Sequence, residues 1–393
     1  MISVDEAQAR LLALASPLPT VALPLAQAVR HFLGTAVVAT RTQPAADLSA
    51  MDGYAILSTD FPGPWRVTGE SAAGRPFCGT LNKDEAVRIF TGAHVPDHAD
   101  SILIQEDAER EGDSLSATHK VVPLAGAHIR RKGSDFATGD IVLPKGIVLD
   151  AGAVAVAAMA GYGELVVGGR PQVATVATGD ELVAPGSVCN SAQIPSANSP
   201  MLAAMLSNLP CDVEDAGIIR DNLAELEASL AALAKQANII VTTGGASVGD
   251  HDLVQRALLN IGAEMDFWKV AMRPGKPLMA GKIGDCVVLG LPGNPSSAFV
   301  TSFLFLLPLV RYMAGCDSPF PLLYEAITTV DLPAGGTRAE FLRAKVNGSA
   351  ITPLSPQDSG LTSTLARANA LLPRSTGAPP RPKGSIVEYL RLP

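Results

Sequence analysis

The stretch ANIIVTTGGASVGDHD, Ala237 to Asp252, decides how the chain is read. A short apolar run with β-branched residues ends in Thr242 and Thr243. Two glycines, Gly244 and Gly245, follow, then Ser247, Asp250 and Asp252, and then the amphipathic run LVQRALLNIG. Strand, tight turn and helix is the order this composition predicts. Because the strand is continuously apolar rather than alternating, both of its faces are expected to be buried, as in a parallel sheet covered by helices on two sides. The same rhythm continues outward: QVATVAT, NSPMLAAMLSNL, CDVEDAGII and NLAELEASLAALAKQ lie before it, MDFWKV, CVVLGL and a long apolar helix after it. Residues 171–317 are therefore predicted as a three-layer α/β domain.

On the N-terminal side the pattern differs. VDEAQARLLALA and LPLAQAVRHFLG read as helices, the first opened by a capping box of Ser3 and Glu6. Short β runs follow, YAIL, WRVTG, AVRIF, SILIQE and HKVV, separated by Gly, Pro and Asp clusters. Asp150 then precedes the small-residue helix AGAVAVAAMAGYG. The expected organisation is a discontinuous helical stem over 1–50 and 140–170 with a β insert over 51–139. After Asp317, LYEAITTV, FLRAKV, AITPL and SIVEYL predict a C-terminal β domain over 318–393, with a short helix near TSTLARAN.

The 393 residues carry 38 acidic and 30 basic side chains, a net charge of −8 without long runs of one sign, so nucleic acid is not an expected partner. The segment Ser296 to Gly315 is the most apolar, but Pro308 interrupts it and a core helix is expected rather than a membrane span. The N-terminus lacks the pattern of a signal peptide, and a cytoplasmic protein is the reading. Five cysteines show no C-x-x-C spacing and no clustering with the six histidines, which points to free structural thiols.

In an open parallel sheet, ligands bind beyond the carboxyl ends of the strands. VATVAT ends in GDEL, with Asp180 and Glu181; NIIVTT ends in the double glycine; CVVLGL ends in PGNPSS. Gly244 and Gly245 suit a turn whose N–H groups face an anion, with Thr242, Thr243 and Ser247 as added donors. Neither G-x-G-x-x-G nor a Walker Lys is present, so an ordinary dehydrogenase or nucleotide hydrolase is excluded. A phosphate beside Glu181, Asp250 and Asp252 calls for a hard cation such as Mg²⁺ between them. WKVAMRPGKP adds Lys269, Arg273 and Lys276, cations suited to an oxyanion substrate.

SAMDGYA (49–55), RIFTGA (88–93), ATGDEL (177–182), TTGGASVGDHD (242–252), MRPGKP (272–277) and LPGNPSSA (291–298), in this order, resemble the MoeA family, the molybdopterin molybdenumtransferases. The resemblance runs from the N-terminal helices to the last strand. It implies a MogA-like α/β domain, a helical stem, a β insert and a C-terminal β-barrel-like domain. It also implies insertion of molybdenum from molybdate into adenylylated molybdopterin, with Mg²⁺ and release of AMP.

Carried over by position, Gly244, Gly245, Ser247 and the loop Pro292, Gly293, Asn294 and Pro295 hold the nucleotide and pterin end, with Asp250 beside them. Glu181, Asp221 and Asp252 become the acids around Mg²⁺ and the scissile phosphoanhydride. Lys269, Arg273 and Lys276 line the cleft, Arg343 and Ser363 contact molybdate, and Asp52 and Thr91 come from the β insert. The family pattern further implies a homodimer whose active site is composite. Contact is implied with the molybdopterin adenylyltransferase and with molybdoenzyme maturation proteins. The chain departs from the pattern at Arg273, where some members have Lys, at Ala246 for Val, and at Ala197, where an acid is common. Other readings are a tungsten-inserting paralogue, an adenylyltransferase of the preceding step and a scaffold of the same fold. Acids and cations gathered at one rim favour an enzyme, whereas molybdate and tungstate are too alike in shape to be separated.

Overall fold

The computed structural model describes residues 1–118, 123–245 and 253–392. The chain divides into two compact units: Ala36–Pro144 with Ala151–Gly163, and Met1–Thr35 with Lys145–Asp150 and Glu164–Pro393.

The smaller unit is built on a six-stranded sheet of β1 (Gly53–Ile56), β2 (Trp65–Ser71), β3 (Glu85–Ile89), β4 (Ser101–Ile104), β5 (Ala108–Glu111) and β6 (Ser114–Ala117), in the order β4-β1-β3-β2-β6-β5. Both faces carry apolar side chains. Tyr54, Ile56, Trp65, Leu103 and Leu115 pack on one, and Ala55, Val87, Ile89 and Ile102 on the other. Gly53 is required where it is, since a Cβ there would run into the Leu103 carbonyl of the neighbouring strand. The expected strand at HKVV lies outside the described residues.

The larger unit holds the α/β sheet predicted from Ala237 to Asp252. Its strands are β7 (Gln172–Thr178), β8 (Asp212–Ile219), β9 (Ile239–Thr243), β10 (Glu264–Lys269), β11 (Pro277–Ile283) and β12 (Cys286–Leu291), in the order β8-β7-β9-β12-β11-β10. The first four of that order are parallel, and β11 runs antiparallel to both β12 and β10. PLMAGKI was not read as a strand from sequence, because the Pro-Gly loop before it masks its start. Side chains of β9 alternate: Ile239 and Val241 face the core shared with Leu202, Phe305 and Leu309, while Ile240 faces Leu226, Leu230 and Leu258. That two-sided burial is why the strand reads as one apolar run.

The helix Val4–Ala13 begins at Ser3, whose side chain accepts from the Glu6 N–H, and it sends Val4, Ala7 and Leu11 into the first of these cores. The second N-terminal helix is much shorter than LPLAQAVRHFLG suggests. Only Leu25–Ala28 is helical: Val21–Pro24 pairs antiparallel with Glu164–Val167, and on the other side Phe32 and Leu33 bridge to Val148 and Val167. The apolar segment forms a helix over Pro295–Met313, with a π turn at Ser302–Leu306; by length and composition it could cross a bilayer, yet 83% of it is buried inside the protein. It is a core helix.

Beyond it, β13 (Leu323–Thr328), β14 (Ala339–Asn347), β15 (Ala350–Pro353), β16 (Ala370–Arg374) and β17 (Ile386–Arg391) pair in the ring β14-β15-β13-β17-β16 and back to β14, a closed five-stranded barrel. The sequence reading missed β16. Its ALLPR continues the expected TSTLARAN helix, of which only the turn Thr362–Thr364 forms.

Candidate functional site

The strand order reverses at β7, whose neighbours are β8 on one side and β9 on the other. A crevice therefore opens at the carboxyl ends of β7 and β9, the position where open α/β sheets take ligands. Thr178 ends β7, Gly244 and Gly245 follow β9, and Pro292 to Pro295 follow β12.

Both glycines adopt positive φ, +94° at Gly244 and +60° at Gly245. A Cβ on Gly244 would strike the Thr178 carbonyl and lie 2.9 Å from Thr178 Oγ1, and one on Gly245 would meet Val254. Gly293 packs directly against this turn, since its Cβ would lie 3.4 Å from Gly244 Cα. The double-glycine and PGNP loops thus form one continuous wall. Ser247, Asp250 and Asp252 lie outside the described residues.

Polar atoms at this wall are conspicuously without partners. Among the described residues nine buried side-chain N or O atoms lack a hydrogen bond, and four of them, Thr178 Oγ1, Thr242 Oγ1, Asn198 Oδ1 and Asn294 Oδ1, belong to the rim. A buried polar atom left unpaired is costly, so their concentration at one place marks where something polar is to bind. Asn294 precedes its helix without capping it; its Nδ2 donates instead to Ser359 Oγ at 3.3 Å. Asn198 Nδ2 donates to the Gly293 carbonyl at 2.8 Å.

The acids lie beside the wall. Asp180, Glu181 and Asp221 are all exposed, and the Asp221 N–H donates to Asp180 Oδ1 at 3.2 Å. Among the described residues no three His, Cys, Asp or Glu side chains converge as a metal site. Asp252, which the resemblance groups with Glu181 and Asp221 around Mg²⁺, lies outside the described residues.

The cations come to the same rim by topology. Strand β10 runs parallel to β12 and ends at Lys269; β11 starts beside it, with Lys269 opposite Pro277, so Lys276 lies at that end too. Two strand spacings separate β10 from β12, roughly 10 Å. Arg273 is exposed, pairs with Glu340 at 3.5 Å, and sits on a short strand, Met272–Arg273, that runs parallel to the start of β14. Lys269 is half-buried and lines a cavity of ≈ 480 Å³ with Met1, Ile2, Arg10 and Asp266. A cavity of ≈ 660 Å³ lies away from the rim, between the N-terminal helix and the barrel.

Arg343 does not stand where an oxyanion could reach it. It is 1% exposed, and every guanidinium nitrogen is engaged: Nε with Gln357 Oε1, one terminal nitrogen with Ser296 Oγ at 2.9 Å and the Leu361 carbonyl, the other with the Asp358 carbonyl at 2.9 Å and that of Pro356. Burial pushes its pKa down. It is a clamp that ties β14 to the 356–361 loop and to the first turn after PGNP. Ser363, by contrast, is exposed.

In the smaller unit, Asp52 Oδ1 accepts from the Thr91 N–H at 2.7 Å and from Thr91 Oγ1 at 2.8 Å. These bonds hold its carboxyl below the usual carboxylate range, with Arg88 adding a smaller pull. Arg88 is itself fixed over the Tyr54 and Phe90 rings and donates to the Gly53 carbonyl and Gln105. MDGY and FTGA therefore build one ionised, oriented carboxylate. Thr178 and Asn198 were not singled out from sequence; the only signal for Asn198 was its place beside the unusual Ala197, which opens the helix Asn198–Leu206 with no side-chain bond.

A switch-point crevice lined by a glycine turn, unpaired polar oxygens, acids and cations defines a ligand-binding α/β enzyme that carries two β modules. Comparison with known proteins agrees across the chain. Residues 2–161 match the MoeA N-terminal region (domains I and II), 174–312 the probable molybdopterin binding domain, and 325–392 the MoeA C-terminal region (domain IV). A Haemophilus influenzae molybdopterin molybdenumtransferase is 35% identical over 87% of this chain and 85% of its own. Molybdopterin molybdenumtransferase 2 of Mycobacterium tuberculosis is 35% identical over 95% of each. The molybdopterin biosynthesis MoeA protein of Pyrococcus horikoshii OT3 superposes over 100% of both chains with a TM-score of 0.85 at 24% identity, a likeness of fold. The chain belongs to the MoeA family, and it is an enzyme of the transferase class.

Proposed function

We propose that this protein inserts molybdenum into molybdopterin: it takes adenylylated molybdopterin and molybdate, releases AMP, and yields molybdenum-loaded molybdopterin. The observation that carries the reading is the gathering of unpaired buried oxygens from Thr178, Asn198, Thr242 and Asn294 around the Gly244–Gly293 wall. Such a wall holds a flat, polar ligand by backbone and amide groups. The dithiolene sulfurs belong to the substrate, so no protein thiolate is required. Burial accordingly leaves Cys286 a neutral thiol, with its pKa pushed up to about 12.

The division of labour follows from the charges. Backbone N–H groups of the glycine turn and of the PGNP loop face the phosphates of the substrate. Lys269, Arg273 and Lys276 draw the molybdate dianion to the far end of the rim. Glu181 and Asp221, with Asp252, are the acids that would hold Mg²⁺, which would supply charge neutralisation at the phosphoanhydride. Asp52, kept ionised and aimed by Thr91, is a general-base or orienting group for water at that bond. Asp52 and Thr91 belong to one compact unit and the rim to the other. We place them together through a homodimer in which the smaller unit of one protomer completes the rim of its partner. The substrate arrives from the adenylyltransferase of the preceding step, and the product leaves to the proteins that mature molybdoenzymes.

The test is incubation of purified protein with adenylylated molybdopterin, Mg²⁺ and molybdate, with tungstate in a parallel arm, following AMP and the metal in the product. AMP release coupled to metal in the pterin supports the reading. Binding without AMP release in either arm overturns it.

A further inference from the structure

The oxygen of Asn198 is counted at the rim above but given no partner there, and Asn198 is one of the more constrained polar side chains of the protein. It is the first residue of the nine-residue helix Asn198–Leu206 and is 8% exposed. Its Nδ2 donates to the Gly293 carbonyl at 2.8 Å, and its Oδ1 is buried without a partner. Turning the amide over would set oxygen against oxygen, so the orientation is determined by its neighbour. Asn294 places Nδ2 on Ser359 Oγ and leaves Oδ1 buried and unpaired, but a hydroxyl donates as readily as it accepts, so only the Asn198 orientation is fixed by its neighbour. Both helices that begin at these residues cover the same face of the sheet, packing Leu202 and Phe303 into one core. Asn198 thus has a donor tied down by a carbonyl and its acceptor left over.

A carboxamide oxygen only accepts, so the missing partner is a donor. Phosphate and molybdate oxygens offer none. The matching group is the N–H edge of a planar amino-substituted heterocycle, whose ring and amino hydrogens point in one plane. We infer that Asn198 is a substrate-contacting, specificity-determining residue whose Oδ1 accepts a hydrogen bond from that edge. Only the identity of the ligand rests on the proposed function. The pterin and the adenine of the substrate both present an amino group, and the two sources are separated by experiment.

The full-length protein and its Asn198→Ala variant are titrated calorimetrically with pterin and with lumazine, which has an oxo group where pterin has the amino group, and with AMP and inosine monophosphate as the matching pair. The wild type is expected to prefer the amino-bearing member of at least one pair by roughly tenfold, the scale of one buried hydrogen bond. In Asn198→Ala that preference falls towards unity for the pair that Asn198 reads and is kept for the other. A variant that binds more weakly but with both preferences unchanged has only lost the Gly293 contact, and the inference is then wrong. A wild type that binds none of the four ligands overturns the proposed function and this inference with it, a different result from binding with unaltered preference. Asn198→Ser, which retains a hydroxyl for the Gly293 carbonyl, is read instead if Asn198→Ala shows no cooperative unfolding.

Discussion

The tightest constraints on this protein act on single atoms. Gly244 combines a φ of +94° with a neighbour that leaves no space for a methyl group. Gly244→Ala is therefore expected to lower stability by about 1–3 kcal/mol, combining backbone strain and a clash. Gly284, at +56° with nothing within 4 Å of its would-be Cβ, isolates the strain alone, and Gly284→Ala should cost less in the same urea titration. Equal costs would show that the Gly244–Thr178 contact is not rigid. Asp52 makes a second case. Thr91 bonds only the charged form of this carboxyl well, so its folded pKa is lowered. The associated stabilisation is complete above the ordinary carboxylate range and is lost as pH falls through the lowered value. Thr91→Val should raise the Asp52 pKa in a carboxyl NMR titration and move the acid limb of activity to higher pH, and any drop in melting temperature should be largest near neutrality and shrink as pH falls through the carboxylate range. An unmoved pKa would mean Thr91 does not control it.

At the scale of elements, the α/β domain does not keep its core to itself. Val4 and Leu11 of the N-terminal helix and Phe341, Leu371 and Leu390 of the barrel share one apolar cluster with Val241, Leu289 and Phe305. Leu11→Ala, at 1% exposure, should cost about 2–5 kcal/mol although it lies outside the sheet and its helices. Denaturation followed at Trp268, on β10, should report that loss. A Trp268 signal that ignores the substitution would make the helix an appendage. The two helices Asn198–Leu206 and Pro295–Met313 were visible in the sequence as apolar runs, NSPMLAAMLSNL and the long apolar segment. That neither Asn198 nor Asn294 caps was not visible, because a cap and a tertiary donor look alike in one dimension.

For the molecule as a whole, the proposed homodimer raises the question of which chain supplies which acid. Asp52→Asn and Glu181→Gln homodimers should each release little AMP. Mixed dimers should recover activity to about half the wild-type level at most, since one of two independent composite sites carries neither lesion. Verified mixed dimers that stay inactive would assign both acids to the same chain. In the same frame, Arg343→Lys should act through the 356–361 loop rather than through molybdate: a lysine has three donors for the five acceptors that Arg343 now serves. Loss of stability with an unchanged apparent affinity for molybdate is the expected pattern. A selective loss of molybdate affinity would return Arg343 to the ligand.

Local chemistry was enough to read the parallel sheet, the rim and the glycine turn. Burial on both faces leaves a continuous apolar run, and backbone angles closed to a Cβ leave glycine, so each is written into a few consecutive residues. What lay beyond such reading is what depends on partners far along the chain. The pairing of Val21–Pro24 with Glu164–Val167 and the bridges of Phe32 and Leu33 to Val148 and Val167 cut short from both ends a helix that its own periodicity favours. The barrel closed through β16, and Arg343 turned inward because the 356–361 loop and the first helical turn after PGNP brought it acceptors. Asn198 stood out only when Gly293, 95 positions away, took its amide hydrogen and left its oxygen buried and unpaired. A hydrogen bond's donor and acceptor are chosen by space, and sequence separation carries no trace of that choice.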